Sequence, residues 1–204
     1  MARRFPTPVT AEEYDRMIAD GLLTAFDRVE LIEGEIVEKR SEGDAHAMCV
    51  ATLNDLFRFR APAELAIMVN APTWMAPDSV PEPDVFLIRR RPLETRRRPR
   101  PEDVALVIEV CDTSFSWDRR VKVPLYARAG IPEVWLVDLN GERLLRFRNP
   151  APAPIGGWIP GGAAPAWQQE DVLSRGQALA PAACPNTRLT VDEILGQAPG
   201  PLRA

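Results

Sequence analysis

With 204 residues, 46% of them hydrophobic, the chain has enough apolar surface for one packed domain spanning 1–204. Charged residues make up 26% of it and no apolar run approaches the roughly 18 residues of a membrane-spanning helix; a soluble protein without a membrane partner is expected, and the absence of an apolar stretch after Arg3 and Arg4 argues for a cytoplasmic location. A net charge of -4 leaves any nucleic-acid binding to local basic patches, and three widely spaced cysteines, Cys49, Cys111 and Cys184, match neither a disulfide framework nor a zinc site.

Thr10, followed three residues later by Glu13, makes a capping-box signature for a short amphipathic helix. Next, RVELIEGEIVEK alternates around Val29 and Leu31, turns at Glu33-Gly34 and returns through Ile36 and Val37, which predicts a hairpin. From Asp44 to about Arg60 the apolar residues Met48, Leu53, Leu56 and Phe57 recur at helical spacing without Gly or Pro, predicting a longer helix. Three strands are expected over 66–75, 84–88 and 104–110, the last a continuously apolar run broken by Glu109 and therefore a central strand. Pro124 is tolerated in a first helical turn, so a helix is placed from about Lys122 to Ala129, with Gly130 as its cap. EVWLVD and RLLRFR form a second hairpin around Gly141. The Pro, Gly and Ala-rich stretch over 149–166 is expected to be an irregular excursion beyond a core over 9–148. A strand over 167–172 and a helix over 191–195, begun by Thr190, return to the core.

The chemistry starts from Glu109. An ionised carboxylate inside VALVIEV costs several kcal/mol unless it is paired or bound to a cation. Asp84, in PEPDVFL, opens the neighbouring predicted strand, so the two carboxylates can reach one ion. Such a hard-oxygen pair suits magnesium, and manganese also fits. Lys122, thirteen residues after Glu109 on the following helix, is placed to orient water or to stabilise phosphate charge. Glu30 is a candidate for a further acidic ligand on the first hairpin, with Glu33 and Glu35 as competitors.

Arg89, Arg90, Arg91, Arg96, Arg97, Arg98 and Arg100 crowd the loop after the Asp84 strand; they are either a solvated loop or phosphate contacts beside the metal. His46 is the sole histidine, which excludes a histidine-rich zinc site. It is expected at the surface or as a capping residue near the start of the second helix, or as a secondary polar group beside the site. Tyr126 shares the helix face of Lys122 and is expected to fill the core rather than hold the lysine, and Trp74, Trp117 and Trp135 are expected to pack rather than stack on bases.

The ordered set VELIEGEI, DAHAMCVATLNDLF, PEPDVFLI and VIEVCDTSFSWDRRVKVPLYARAGIPEVWLVD resembles the Uma-two family of restriction endonucleases, over about Val9 to Arg148. The run from Glu109 through Asp138 is its most specific part. The resemblance implies an α/β fold with a PD-(D/E)xK core, a mixed central sheet flanked by helices that presents an acidic metal site at a strand edge. The family's pattern falls on Glu30, Asp84, Glu109 and Lys122. The lysine that the wider superfamily carries two residues after the glutamate is replaced by Cys111, and Lys122 resembles its migrated substitute. The function expected from this is magnesium-dependent, or manganese-dependent, hydrolysis of DNA, with a homodimer as a plausible assembly. The alternative is a nuclease-fold module that binds DNA or protein without cutting. No Gly-rich phosphate loop or G-x-S-x-G motif supports an unrelated metabolic enzyme.

Overall fold

The computed structural model describes residues 7–24, 26–39, 42–75, 77–90, 97–151 and 167–196. Among these described residues, five helices and ten strands run in the order α1 (Ala11–Ala19), β1 (Val29–Ile32), β2 (Glu35–Glu38), α2 (Asp44–Arg60), β3 (Leu65–Val69), β4 (Val85–Arg89), β5 (Val104–Cys111), α3 (Phe115–Trp117), α4 (Val123–Arg128), β6 (Glu133–Asp138), β7 (Arg143–Pro150), β8 (Trp167–Ser174), β9 (Ala178–Leu179), β10 (Leu189–Thr190) and α5 (Val191–Leu195). A π-helical turn, Asp118–Lys122, joins α3 to α4. None of these helices is long and apolar enough to cross a membrane.

Six strands form one sheet in the order β3-β4-β5-β6-β7-β8. β5 and β6 run parallel, and every other neighbouring pair is antiparallel. The single parallel pair explains the helical crossover, because parallel strands cannot be joined by a tight turn. Every residue of β5 and of β6 is buried, as expected for central strands covered on both faces. α2 packs Leu53 and Phe57 against one face, over Leu87, Leu106, Ile108 and Trp135. Val123 and Tyr126 pack on the other face, with Phe86, Val107 and Val134. The fold is thus the mixed sheet flanked by helices that the sequence predicts.

Local chemistry accounts for the boundaries. Thr10 and Glu13 close the reciprocal capping box at the start of α1. The β1–β2 turn places Glu33 at φ 51° and Gly34 at φ 78°, the paired left-handed conformation of a type I′ hairpin. A Cβ on Gly34 would stand 2.6 Å from Pro8 Cβ. β3 stops at Val69 rather than continuing to Met75, because Asn70 adopts φ 46°. The helix expected to begin at Lys122 instead starts at Phe115. The widened turn, in which Val123 N–H donates to Asp118 O, accommodates Pro124 behind it, since the ring would otherwise meet the carbonyl of Arg120. Gly130, at φ 76°, ends α4 as expected. The small β9–β10 pair carries no marked sequence signal, and the 152–166 part of the expected excursion lies outside the described residues.

α5 is fastened to α2. Thr190 and Glu193 form a second capping box, Arg60 Nη2 donates to Glu193 Oε1 at 2.8 Å, and Thr187 Oγ1 donates to Arg60 O at 3.0 Å. The hydrogen bond from Arg60, followed by that from the Thr190 backbone, holds the Glu193 carboxyl down at about 2, against an ordinary 4.5. A lowered folded pKa stabilises the fold fully above about 4.5, and this contribution fades as pH falls toward 2. Glu193→Ala is therefore expected to lower stability by about 1 kcal/mol at neutral pH, the difference from wild type closing on acidification when both are unfolded in urea.

Candidate active site

Alternation along β5 turns Glu109 onto the sheet face that carries Val107 and Cys111, under the crossover helix. Only 2% of Glu109 is exposed. The π turn delivers Lys122, and α4 delivers Tyr126, to the same face. Lys122 Nζ stands 3.4 Å from Glu109 Oε1 and 3.3 Å from Glu30 Oε2. Tyr126 OH donates to Glu109 Oε1 at 2.5 Å. Glu30, projecting from β1, is fixed from the other side by the Glu82 N–H at 3.1 Å.

Asp84 immediately precedes β4 and is equally enclosed. Val110 N–H donates to its Oδ2 at 2.7 Å, and His46 Nε2 lies 3.1 Å from the same oxygen. His46 Nδ1 faces Glu42 Oε2 at 3.6 Å. These groups line one cavity of about 430 Å³ with Glu38, Lys39, Asp112, Ser114, Trp117 and Asp118. The lysines at its wall are Lys39, which pairs with Glu82 at 3.0 Å, and Lys122.

Burial dominates the electrostatics. It pushes the Glu109 carboxyl up to about 8, with Asp84 and Asp118 adding to the rise and Lys122 and Tyr126 opposing it. Burial likewise raises Asp118 against the pull of Lys122. For Lys122, burial disfavours the charge, but Glu109, Glu30, Asp118 and Asp84 outweigh it and hold the ammonium well above its ordinary value. At His46, burial also opposes the charge, and the hydrogen bond to Asp84 with the Asp84, Glu42 and Asp112 charges overcomes it, raising the imidazole. Burial, then Glu109, raises the Tyr126 phenol, so it stays a donor.

Glu30, Asp84, Glu109 and Lys122 thus line one cavity. Glu33 lies at the hairpin turn and is ion-paired with Arg128 instead. Cys111 is buried, and its Sγ donates to Asp118 Oδ2 at 3.3 Å. Arg89 ends β4, five residues or about 16 Å along the strand from Asp84. Arg90 Nε donates to Ala63 O at 2.6 Å, Arg97 bonds Asp103 at 2.8 Å, Arg98 bonds Asp15, and the Arg100 guanidinium lies over Trp74 at 5.7 Å. Arg91 and Arg96 lie outside the described residues. None of the described arginines lines the cavity.

Of the two positions expected for His46, the surface or capping one is corrected and the one beside the site is found: the residue is only 4% exposed and lines the cavity. The helical stripe that faces inward is His46, Cys49, Val50, Leu53 and Phe57, whereas Met48 is 67% exposed. Reading α2 in that phase would have found the histidine, and Glu42 and Asp118 could have been flagged by their four-residue spacing to His46 and Lys122. Tyr126 fills the core as expected, but its hydroxyl serves Glu109.

The donor set fits a hard divalent cation. Four carboxyl groups, Glu30, Asp84, Glu109 and Asp118, surround one ammonium, more than a single ion pair requires. The protein contacts to Asp84 fall on Oδ2 and those to Glu109 on Oε1; among the described residues Oδ1 and Oε2 accept no hydrogen bond. These oxygens are the ones left to coordinate an ion.

A family model described as "Putative restriction endonuclease", named Uma2, matches residues 11–192. Among solved structures, the chain is similar to a protein titled a "putative nuclease belonging to DUF820" from Anabaena variabilis ATCC 29413. The TM-score is 0.68 at 17% identity, covering 92% of this chain and 98% of that one, a likeness of fold. No curated protein matches.

A carboxyl whose folded pKa lies above its ordinary 4.5 supports folding fully below that pH and loses its contribution as pH rises through about 8. In chelator, the melting temperature is accordingly expected to fall as pH is raised through about 8, to recover on addition of Mg²⁺ or Mn²⁺, and to lose most of this slope in Glu109→Gln.

Proposed function

The chain belongs to the Uma2 family of restriction-endonuclease-like proteins, and from that membership we propose that it is a divalent-metal-dependent DNA endonuclease in which Asp84 and Glu109 hold a magnesium or manganese ion. The observation that carries this reading is Glu109 itself, a carboxyl desolvated on a central strand, 3.4 Å from a buried ammonium and open to a cavity. A structural ion pair would call for one carboxylate per ammonium, whereas here acidic groups are in excess and two of their oxygens accept no hydrogen bond among the described residues. The bound ion would neutralise the scissile phosphate and lower the pKa of a coordinated water.

The chain's own groups divide the remaining work. Val110 N–H and His46 orient Asp84 through one oxygen. Tyr126 and Lys122 do the same for Glu109, which leaves its other oxygen for the ion. Glu30 holds Lys122 from the opposite side, so the ammonium stays in place when Glu109 is engaged elsewhere. From there Lys122 orients the attacking water and stabilises charge on the phosphate. The phenol of Tyr126 remains protonated and acts as a fixed donor.

Purified protein is expected to nick and linearise plasmid with Mg²⁺ or Mn²⁺ and not in chelator. Asp84→Asn and Glu109→Ala should abolish cleavage, and Lys122→Met should slow it by about 100-fold or more. Cleavage that survives Glu109→Ala unchanged contradicts the assignment, and salt-sensitive DNA retention without cutting in either metal favours a binding module instead.

A further inference from the structure

The six-stranded sheet ends in two edges, β3 and β8, and they are built differently. An open edge presents a row of unpaired N–H and C=O groups, which charged side chains ordinarily guard. β8 carries Glu170 and Asp171 in its middle. β3 carries no charge: its residues are Leu65, Ala66, Ile67, Met68 and Val69. Just outside its ends, Arg90 N–H donates to Glu64 O at 2.8 Å and Asn70 N–H donates to Asp84 O at 3.0 Å. The direction of bonding alternates along an antiparallel ladder, so Leu65, Ile67 and Val69 turn their peptide groups away from β4. Leu65 N–H donates to Pro62 O, but among the described residues the N–H and C=O of Ile67 and Val69 meet no partner. Val69 is 36% exposed and Ile67 is only partly buried.

We propose that this edge pairs with the same edge of a second copy, β3 running antiparallel to β3 about a two-fold axis through Ile67. The register is self-complementary. The two Ile67 residues exchange both backbone hydrogen bonds, Val69 of each copy falls opposite Leu65 of the other, and its N–H donates to Leu65 O. The outward groups left unbonded in one chain are thereby satisfied, and apolar side chains meet apolar side chains along the whole strand. Beyond the strand, the exposed Glu64 falls opposite the exposed Asn70, a carboxylate against an amide donor, so no like charges oppose one another. A slip of one residue would set Ile67 against Met68, whose peptide groups face β4, which fixes the register further. One continuous sheet then spans both chains, and the paired edge lies one strand from Asp84, whose carbonyl Asn70 already holds. The inference goes beyond the hydrolytic reading and does not need cleavage to occur.

Sedimentation equilibrium of the tag-free full chain is expected to show a reversible dimer of twice the 22.7 kDa of one chain. Val69→Lys places a guarding charge on the edge without touching a bond to β4. It should raise the dissociation constant by about 10-fold or more, with the circular dichroism spectrum unchanged. Val172→Lys, the matching change on β8, should leave the dimer as it is. Ile67→Cys reads the register itself. Opposed residues of a hydrogen-bonded pair have Cα atoms about 5.5 Å apart, within disulfide reach, so mild oxidation should link two chains through that thiol while the native cysteines stay buried. A chain that remains monomeric at its highest soluble concentration overturns the proposal. So does a dimer that Val69→Lys leaves intact, one that Val172→Lys dissociates, or one in which Ile67→Cys forms no bond between chains. Each of these results leaves the Asp84–Glu109 assignment standing if Mn²⁺ still supports plasmid cleavage. A dimer linked through Ile67→Cys in a protein that does not cut DNA upholds this interface and removes the hydrolytic reading alone.

Discussion

A carboxyl group placed in the middle of a fully buried strand is the constraint on which the rest of this structure depends. An ionised Glu109 without a partner would cost several kcal/mol, and replacing it by an apolar residue would remove that cost at once. The fold instead surrounds it. A crossover helix brings an ammonium and a phenol to one of its oxygens, a hairpin brings Glu30 to the same ammonium, and Asp84 stands just before the neighbouring strand β4. This arrangement is poorly explained by stability, because buried ion pairs seldom surpass well-packed hydrophobic side chains. It is well explained by a site that must hold a cation.

The position of Lys122 follows from one local irregularity. In the wider nuclease superfamily the lysine shares the strand of the glutamate; here that strand position is Cys111, a buried thiol bonded to Asp118. The ammonium comes instead from the helix, and the π turn over Asp118–Lys122 sets the register in which Lys122 and Tyr126 both face the strand. Pro124, which at first sight only terminates a helix, is accommodated by that same turn. Single-turn π segments are frequent at functional sites, and this one joins backbone tolerance for a proline to the aim of a charged side chain.

Much of the frame was legible in the amino-acid order. Glu33-Gly34 marked the first hairpin, VALVIEV the central strand, and Thr190 the last helix, because in each case local turn or capping chemistry agrees with the tertiary setting. Glu109 stood out because a carboxyl inside an apolar run needs a partner, and the proposed site rests on the same reason. Less visible was whatever depended on rotation of an element about its axis. A small error of phase on α2 brought Met48 inward and left His46 undecided between the surface and the site, which hid Glu42. For the arginines after Asp84 the order leaves a solvated loop and phosphate contacts both open; among the described ones, Arg90, Arg97, Arg98 and Arg100 meet Ala63, Asp103, Asp15 and Trp74.

The account rests on convergence of Asp84 and Glu109 on one cation, and anomalous diffraction from a crystal soaked in manganese tests it most directly. The predicted result is a peak within coordination distance of both Asp84 Oδ1 and Glu109 Oε2, with Lys122 still beside Glu109. A peak elsewhere, or none at saturating manganese with Glu109 still held only by Lys122 and Tyr126, would contradict it.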